Sequence, residues 1–382
     1  MIKRGVGLSL ALLIAGYASS GAPDRANTET TVRPIITEFM TASNTVGTSV
    51  AVVRPDGIQT FHFGFTDREN GGRPTDETLY EIGSFTKIFT TSVLLQLLSR
   101  GELQLDNSVT EYLPDLDEAW RDVSLEQLAT HTSGMGDAAQ ALMGEMFSSE
   151  QPITRARFID AIDKIGRESE AGERWRYNNG AMALLGHALT SKAGLPVADD
   201  SAYEELLRLM ILDPLGMNRT STMLSRLPEE NFAQGYFGSA PRNFIMSEHL
   251  GPVSPAGGLI SNLEDMSRFA MAHLVPESNL LERQWLDLAF ASRFEAHQRA
   301  NNLDQMGIGW WKYAERGRDI VWHGGSTSSF ETFVGFDLEH EVGVVILSNT
   351  FIAQQRDFEE RIGIRFAGFD LLHSLSPDVQ ER

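Results

Sequence analysis

The chain has 382 residues, of which 42% are hydrophobic and 22% charged, and its formal net charge is −20. This length and composition indicate a large globular protein with a sizeable core. The negative charge argues against binding to nucleic acid, because few cations are available to neutralise a row of phosphates. The chain has no cysteine, which excludes disulfides, a thiol nucleophile, thiolate metal ligands and a lipid-modified cysteine.

The N-terminus has the pattern of an export signal. Lys3 and Arg4 precede an apolar run over 6–18, and small residues follow at 20–22. The run is shorter than a membrane span requires. We therefore expect residues 1–22 to be a cleaved signal peptide, with no membrane span after its removal, and the mature protein to be periplasmic or secreted by a bacterium.

The next elements predicted along the chain are a helix, a hairpin and a second helix. Helical spacing covers 32–44, and strands at 46–53 and 58–65 flank the turn sequence "RPDG". A helix follows from about Thr86 to Arg100 and ends at a glycine. Further helices are predicted at 124–131, 154–165, 180–194, 199–211 and 261–274. In the last of these, Ser261 is the expected N-cap, with Glu264 completing a capping box.

The C-terminal part is predicted to consist mainly of strands. They are expected at 307–313, 319–323, 331–337 and 342–347, before a final helix at about 356–372. Strands and a helix at both ends of the chain favour one discontinuous α/β domain whose antiparallel sheet uses both ends. We assign that domain to about 23–105 and 255–382, with an all-helical insert at about 106–254. A cleft between the two parts is the expected place for a site.

Lys87 is the first candidate for chemistry among the five lysines of the chain. It lies among apolar residues of a predicted helix, where an ammonium group is costly to bury. Ser84 lies one helical turn earlier, so the two side chains share a face. Burial lowers the pKa of a lysine, and a neutral amine can take a proton from a serine. Gly83 makes Ser84 a first-turn residue, where free N–H groups favour a developing negative charge.

A second candidate is the sequence Tyr177-Asn178-Asn179, just before a predicted helix. The phenol of Tyr177 can relay protons if cations lower its pKa, and the carboxamide of Asn179 can hold an amine and a substrate carbonyl. The alternative is purely structural: Asn178 or Asn179 caps the helix, and Tyr177 packs against it as a hydrophobic staple.

A third candidate follows a predicted strand, where His323 precedes Gly324, Gly325 and Ser326. Two glycines allow a ligand's backbone to lie alongside the strand, and His323 adds a titratable donor. The alternative is an ordinary strand that ends in a Gly-Gly turn, with His323 half-exposed.

Taken together, Ser-x-x-Lys, Tyr-x-Asn and His-Gly-Gly resemble the motifs of the penicillin-recognising serine hydrolases. The likeness is strongest to the class C β-lactamase branch, with its D-alanyl-D-alanine peptidase and esterase relatives. The stretches "LATHTSGM", "SPAGGLISNLEDMSRFAMAHL" and "GVVILSNT" are also similar to that family. The resemblance implies a β-lactamase/transpeptidase-like α/β fold, an antiparallel sheet flanked by helices with a helical insert.

The resemblance also implies a role for each candidate. Ser84 would be the acylated nucleophile and Lys87 its activator. Tyr177 would pass protons to the leaving group and prepare the deacylating water, and Asn179 would hold Lys87 and the substrate amide. The oxyanion hole would consist of the backbone N–H groups of Ser84 and Ser326.

One departure concerns the substrate. Class C β-lactamases proper have Lys-Thr-Gly where this chain has His323-Gly324-Gly325, whereas some D-peptidases, D-aminopeptidases and esterases have His-x-Gly. A histidine is only fractionally charged at neutral pH, unlike the permanent lysine cation. We hypothesise that the charge of His323 helps to bind a substrate carboxylate. A neutral hydrogen-bond donor at that position is the alternative.

The predicted activity is hydrolysis of β-lactams or of D-amino-acid amides or peptides through an acyl-enzyme. The alternatives are an esterase acting on small acyl esters and a penicillin-binding sensor without turnover. We expect a monomer with a small-molecule or peptide substrate, such as a cell-wall fragment, and neither cofactor nor metal. The sequence has no Gly-x-Ser-x-Gly elbow and no His-Glu-x-x-His spacing. His131 and His187 are interpreted as structural histidines with satisfied hydrogen bonds.

Overall fold

An eight-stranded antiparallel sheet forms the centre of the protein. The computed structural model describes residues 25–139, 141, 153–197, 201–275, 280–299, 302–352 and 361–376; the predicted signal peptide lies outside them. The strands of the protein are β1 (Gly47–Arg54), β2 (Gly57–Gly64), β3 (Leu79–Glu81), β4 (Gly235–Phe237), β5 (Ala240–Arg242), β6 (Ile260–Asn262), β7 (Phe294–Arg299), β8 (Asn302–Met306), β9 (Trp311–Glu315), β10 (Arg318–Ser326), β11 (Glu331–Asp337), β12 (Val342–Ser348) and β13 (Thr350–Phe351).

The main sheet has the spatial order β2-β1-β12-β11-β10-β9-β8-β7. Its first hairpin is therefore joined to a strand from the far end of the chain, with Thr48 opposite Ser348 and Val52 opposite Val344. This pairing of both ends confirms the predicted α/β fold class with an antiparallel sheet. The division into a catalytic body and a helical insert with the stated boundaries stays a prediction.

Helices cover both faces of the sheet. Apart from a three-residue turn at Asp213–Leu215, the α-helices of the described residues are α1 (Arg25–Ser43), α2 (Thr86–Ser99), α3 (Leu125–Ala129), α4 (Arg155–Ile165), α5 (Asn179–Lys192), α6 (Ala202–Leu207), α7 (Leu263–Leu274), α8 (Arg283–Phe290) and α9 (Ile364–Leu375). The first and last helices, α1 and α9, pack on one face, and α7 packs on the other. No helix in the described ranges combines the length and apolar character needed to cross a membrane.

The strand β1 shows why the sheet is buried on both sides. Val50 and Val52 join the core beneath α1 and α9, whereas Ala51 and Val53 join the larger core that contains α2 and α7. A strand with two covered faces needs apolar residues at consecutive positions, which explains the unbroken run in its sequence.

Several predicted boundaries are corrected by the structure. Helix α7 begins one residue later than expected, with Asn262 as N-cap: its side chain accepts from the Asp265 N–H at 2.9 Å. Ser261 instead lies in β6 and bonds the Thr220 hydroxyl at 2.8 Å. The strand expected at 307–313 starts only at Trp311, after a turn in which Gly309 has a φ of +79°.

The helix predicted at 199–211 is also irregular. α6 ends at Leu207, and one turn of π-helix (Arg208–Leu212) follows. The final helix begins at Ile364, and the earlier part of the predicted span, 356–360, lies outside the described residues.

Candidate active site

Ser84 and Lys87 lie at the start of a helix that is buried along nearly its whole length. Gly83–Phe85 forms a 3-10 turn that continues into α2. The sequence of α2 has no polar face, as expected of a helix surrounded by protein. Ser84 remains partly exposed, at the edge of a cavity of about 260 Å³.

Two glycines allow β10 to approach the start of that helix. A Cβ on Gly83, which has a φ of +51°, would lie 2.8 Å from the Ser326 nitrogen, and one on Gly325 would overlap the Ile82 carbonyl oxygen. Any larger residue would push the strand and the helix apart. This close approach brings the backbone of Ser326 beside the turn that carries Ser84, as an oxyanion hole shared by the two would require.

Lys87 is fully buried, as its apolar sequence neighbours suggested. Its Nζ donates to the Ala256 carbonyl oxygen at 2.6 Å. Burial holds the pKa of Lys87 well below its usual value of 10.5, because the charged form loses its solvation. A lowered pKa increases the share of the neutral amine, which is the form that can accept a proton.

Tyr177 connects this amine to the serine. The Nζ of Lys87 lies 4.8 Å from the centre of the Tyr177 ring, and the Tyr177 hydroxyl is hydrogen-bonded to Ser84. Part of the ring faces the cleft, yet burial of the hydroxyl raises the pKa of Tyr177, opposed only in part by the Ser84 bond. A pKa lowered by nearby cations, the condition named from the sequence for a proton relay, is therefore not met in the free protein, and Tyr177 is protonated at neutral pH.

The two asparagines after Tyr177 occupy different positions at the start of α5. Asn178 is the N-cap of α5: it accepts from the Ala181 N–H at 3.1 Å and donates to the Gly136 carbonyl oxygen at 3.1 Å. Asn179 is the first residue of the helix and is half-buried. Its expected role of holding Lys87 stays a prediction.

The strand β10 borders the cleft with an open edge. In the described part of the chain, β9 pairs with β10 only from Arg318 to Trp322. Beyond that point His323, Gly324, Gly325 and Ser326 pair with β11 on the opposite side and line the cavity together with Ser84 and Tyr177. A free strand edge can bind an extended ligand by backbone hydrogen bonds.

His323 differs from the sequence-based expectation. It is only 2% exposed, packs edge-on against Phe85, and its Nδ1 bonds the Gly324 carbonyl oxygen at 2.6 Å. Burial, reinforced by the proximity of Lys87, lowers the pKa of His323 to about 3. The alternative of a half-exposed His323 is therefore wrong. The hypothesis of a charged His323 stays a prediction, and its lowered pKa favours the neutral hydrogen-bond donor.

His131 is the residue that the sequence interpretation missed. It follows α3, outside the helix, with a φ of +59°, and its ring centre lies 4.5 Å from that of Tyr177. Its Nδ1 accepts from the Asn178 N–H at 3.3 Å, while its Nε2 has no hydrogen-bond partner within the described residues. The interpretation of His131 as satisfied is therefore wrong. For His187 it fits, because its Nε2 bonds the Pro252 carbonyl oxygen at 2.9 Å.

No local pattern distinguishes these two histidines in the sequence. The one available signal was the position of His131 in "LATHTSGM", a stretch already noted for its family resemblance. Within the described residues, no three His, Cys, Asp or Glu side chains lie together so that they could hold a metal ion.

A serine one turn before a buried lysine of lowered pKa, beside a tyrosine and facing an open strand edge, is the arrangement of a serine hydrolase. A family model described as beta-lactamase matches residues 32–369. The chain therefore belongs to the beta-lactamase family of serine hydrolases, within the penicillin-recognising superfamily.

Individual relatives agree with this assignment. A beta-lactamase of Yersinia enterocolitica is 25% identical over 379 residues, covering 91% of each chain. Penicillin-binding protein 4* of Bacillus subtilis is 25% identical over 358 residues, covering 88% of this chain and 74% of that protein. A solved class C beta-lactamase superposes with a TM-score of 0.76 at 21% identity, over 94% of this chain and all of the other, and has the same fold.

Proposed function

We propose that the protein hydrolyses an amide bond through an acyl-enzyme on Ser84. The observation that carries the proposal is the fully buried Lys87, whose pKa is lowered, one helical turn after Ser84, with the Tyr177 hydroxyl beside that serine. An amine without charge is a base, and a serine needs a base to become a nucleophile at neutral pH.

In acylation, the Oγ of Ser84 bonds to the substrate carbonyl carbon. Its proton moves to the amine of Lys87 by way of the Tyr177 hydroxyl. The carbonyl oxygen becomes an oxyanion, which the backbone N–H groups of Ser84 and Ser326 would stabilise by about 3 kcal/mol per donor. The carbon–nitrogen bond then breaks, and the leaving nitrogen takes a proton from Tyr177, which Lys87 replaces.

In deacylation, a water molecule attacks the ester carbon of the acyl-enzyme. Its proton passes to Tyr177 and Lys87, and the bond to the Ser84 oxygen breaks as that oxygen recovers a proton. Asn179 is proposed to hold the substrate amide and the Lys87 side chain during both steps.

We propose a β-lactam or a D-amino-acid amide or peptide of cell-wall type as the substrate. Curated relatives are named as a beta-lactamase and a penicillin-binding protein. The open edge of β10 suits an extended peptide or its mimic, which can add to the sheet as a further strand. We further propose that the mature protein acts outside the bacterial cytoplasm, after removal of residues 1–22, and functions as a monomer.

A second candidate function is hydrolysis of small acyl esters by the same residues. It is favoured by the low pKa of His323, because that side chain then offers no positive charge to a substrate carboxylate and Arg365 is left as the cation that lines the described cavity. A penicillin-binding sensor is less favoured, because Ser84, Lys87, Tyr177 and Asn179 are all present.

Labelling with a fluorophosphonate tests the nucleophile. Intact-protein mass spectrometry should show one adduct, mapped to the peptide that contains Ser84. Ser84→Ala should abolish it, and Ser99→Ala, at the exposed end of the same helix, should leave it unchanged. Labelling of Ser84→Ala at the wild-type rate would contradict the proposal.

A turnover panel then separates the substrate classes. It contains a cephalosporin, a D-Ala-D-Ala peptide and a short-chain nitrophenyl ester, together with a fluorescent penicillin. Turnover of the first two supports the main proposal, and activity on the ester alone supports the second candidate. A lasting penicillin label without any turnover would identify a sensor.

A further inference from the structure

The loop that carries Tyr177 is held by one residue at several points. The carbonyl oxygen of His131 accepts from the Arg176 N–H at 2.8 Å, and its Nδ1 accepts from the Asn178 N–H at 3.3 Å. Its ring lies against Tyr177, with centres 4.5 Å apart, and meets Trp175 edge-on at 6.4 Å. His131 therefore contacts each of the four consecutive residues 175–178.

The backbone of His131 is in an unfavourable conformation. A φ of +59° is uncommon for any residue other than glycine, and His131 is also 99% buried, with 1% of its surface exposed. Such conformations persist only where the surrounding structure enforces them, and they cluster at functional sites. Neighbouring backbone bonds do so here, from Thr132 N–H to the Gln127 carbonyl at 2.9 Å and from Gly172 N–H to the Thr132 carbonyl at 2.7 Å.

The bond to Asn178 also requires one protonation state. Because Nδ1 accepts a hydrogen bond, the ring proton lies on Nε2, and a second proton would destroy the acceptor. Burial, together with the positive charges that Lys87 and His323 carry when they are protonated, holds the pKa of His131 well below 6.5. The Nε2–H has no hydrogen-bond partner within the described residues, and burying an unpaired donor destabilises the folded state.

We propose that His131 is a positioning residue that holds the Tyr177 hydroxyl on Ser84. The ring fixes the tilt of the phenol, and the two backbone bonds fix the chain on either side of it. A hydroxyl that relays a proton must stay within hydrogen-bond distance of both partners, and a displacement of about 1 Å can cost roughly a hundredfold in rate. This inference rests on the proposed function, in which Tyr177 transfers protons.

A double-mutant cycle with Tyr177→Phe tests the inference. His131→Asn tolerates a positive φ and keeps an acceptor, but it removes the ring. We expect kcat to fall about 10- to 100-fold with KM within about twofold, because substrate binding uses the edge of β10. In the Tyr177→Phe background the same change should cost less than about twofold, since the hydroxyl that it positions is gone.

His187→Asn is the matched control. It also removes a buried histidine, one whose Nε2 is paired and which lies outside the cleft. It should change kcat by the same small factor in both backgrounds. If His131→Asn does not fold, His131→Gln, which also keeps an acceptor without the ring, replaces it in the cycle.

The outcomes separate the two proposals. An equal loss of kcat from His131→Asn in both backgrounds, or a loss confined to KM, overturns the positioning role and leaves the function of Tyr177 intact. Full activity of Tyr177→Phe overturns the proton-transfer role of Tyr177 and, with it, the inference about His131.

Discussion

Two buried residues with ionisable side chains, Glu204 and Lys87, differ in the number of hydrogen bonds that they make. Glu204, in the helical middle of the chain, is fully buried and well supplied with donors. Its carboxylate accepts from the Ser221 hydroxyl at 2.7 Å, and from the N–H and hydroxyl of Thr222 at 2.9 and 2.7 Å. The Arg226 guanidinium completes the set at 2.9 Å. The carboxylate therefore accepts four hydrogen bonds and links the segment 221–226 to α6.

Lys87, in the cleft, is equally buried but is bonded to a single carbonyl oxygen, that of Ala256. An ammonium has three donors, and among the described residues no carboxylate pairs with this one, so burial favours loss of its proton. The number of hydrogen-bond partners therefore decides whether a buried ionisable side chain stays charged or loses its charge. A fully bonded one contributes to the fold, and a poorly bonded one remains available to a substrate.

The largest effect is expected from replacing Lys87 by a residue of similar shape. Lys87→Met should lower kcat/KM by at least about a thousandfold, because the base is lost. It should also raise the melting temperature, because an apolar side chain fits the buried position better. A variant that keeps a tenth of the wild-type rate would contradict the role of Lys87 as base.

The gain in stability from Lys87→Met has a defined pH dependence. The folded pKa of Lys87 is depressed, so below 10.5 the unfolded chain binds a proton that the folded protein does not. Wild-type stability therefore rises as the pH rises towards 10.5, and the advantage of the variant should shrink. Melting curves from pH 6 to 10 measure this difference.

Glu204 should show the reverse pattern. Glu204→Ala removes the acceptor for four donors and should cost about 3 kcal/mol in the free energy of unfolding, with kcat of the folded enzyme unchanged. Denaturant unfolding and active-site titration separate the two quantities. The neighbouring exposed Glu205→Ala is the matched control and should be neutral in both. A fall in kcat with unchanged stability would contradict the structural role of Glu204.

Glu331 is a third buried ionisable residue, and only one of its two carboxyl oxygens is hydrogen-bonded within the described residues. One carboxyl oxygen accepts from the Ile352 N–H at 2.8 Å, and the other has no hydrogen-bond partner within the described residues. Burial raises the pKa of Glu331 to about 8 from 4.5. Its contribution to stability is therefore complete below pH 4.5 and is lost as the pH rises through about 8.

Glu331→Gln should remove this dependence while keeping the acceptor for Ile352. Relative to the wild type, the variant should gain about 2 kcal/mol or more at pH 8, and the gain should vanish towards pH 4.5. Unfolding in denaturant across that range provides the measurement. A gain that is independent of pH would mean that Glu331 is ionised in the folded protein.

The smallest effect is expected at His323. Because its pKa is about 3, KM for both a penicillin and nitrophenyl acetate should stay level between pH 5 and 8. His323→Lys should lower KM for the penicillin by about three- to tenfold through charge pairing, and leave that for the ester unchanged. A wild-type KM for penicillin that falls on acidification through pH 6.5 would restore the charged role.

The sequence was sufficient for features that depend on local spacing. Hydrophobic periodicity predicts the strands at 331–337 and 342–347. Helical geometry predicts that Ser84 and Lys87 lie one turn apart, and the order of the three motifs is read directly from the sequence. The burial of Lys87 could also be predicted, because apolar residues such as Ile88, Phe89 and Val93 recur around it in a helix without other charges.

Features that depend on contacts between distant segments could not be obtained in this way. His131 and Tyr177 are 46 residues apart in the chain (177 − 131), and their packing arises only when the loop before α5 folds against the segment after α3. The capping of α7 by Asn262 instead of Ser261 depends on β6 pairing with β3. The protonation states of Tyr177 and His323 depend on burial by residues far away in sequence, because solvation is a property of the assembled cleft and not of any single segment.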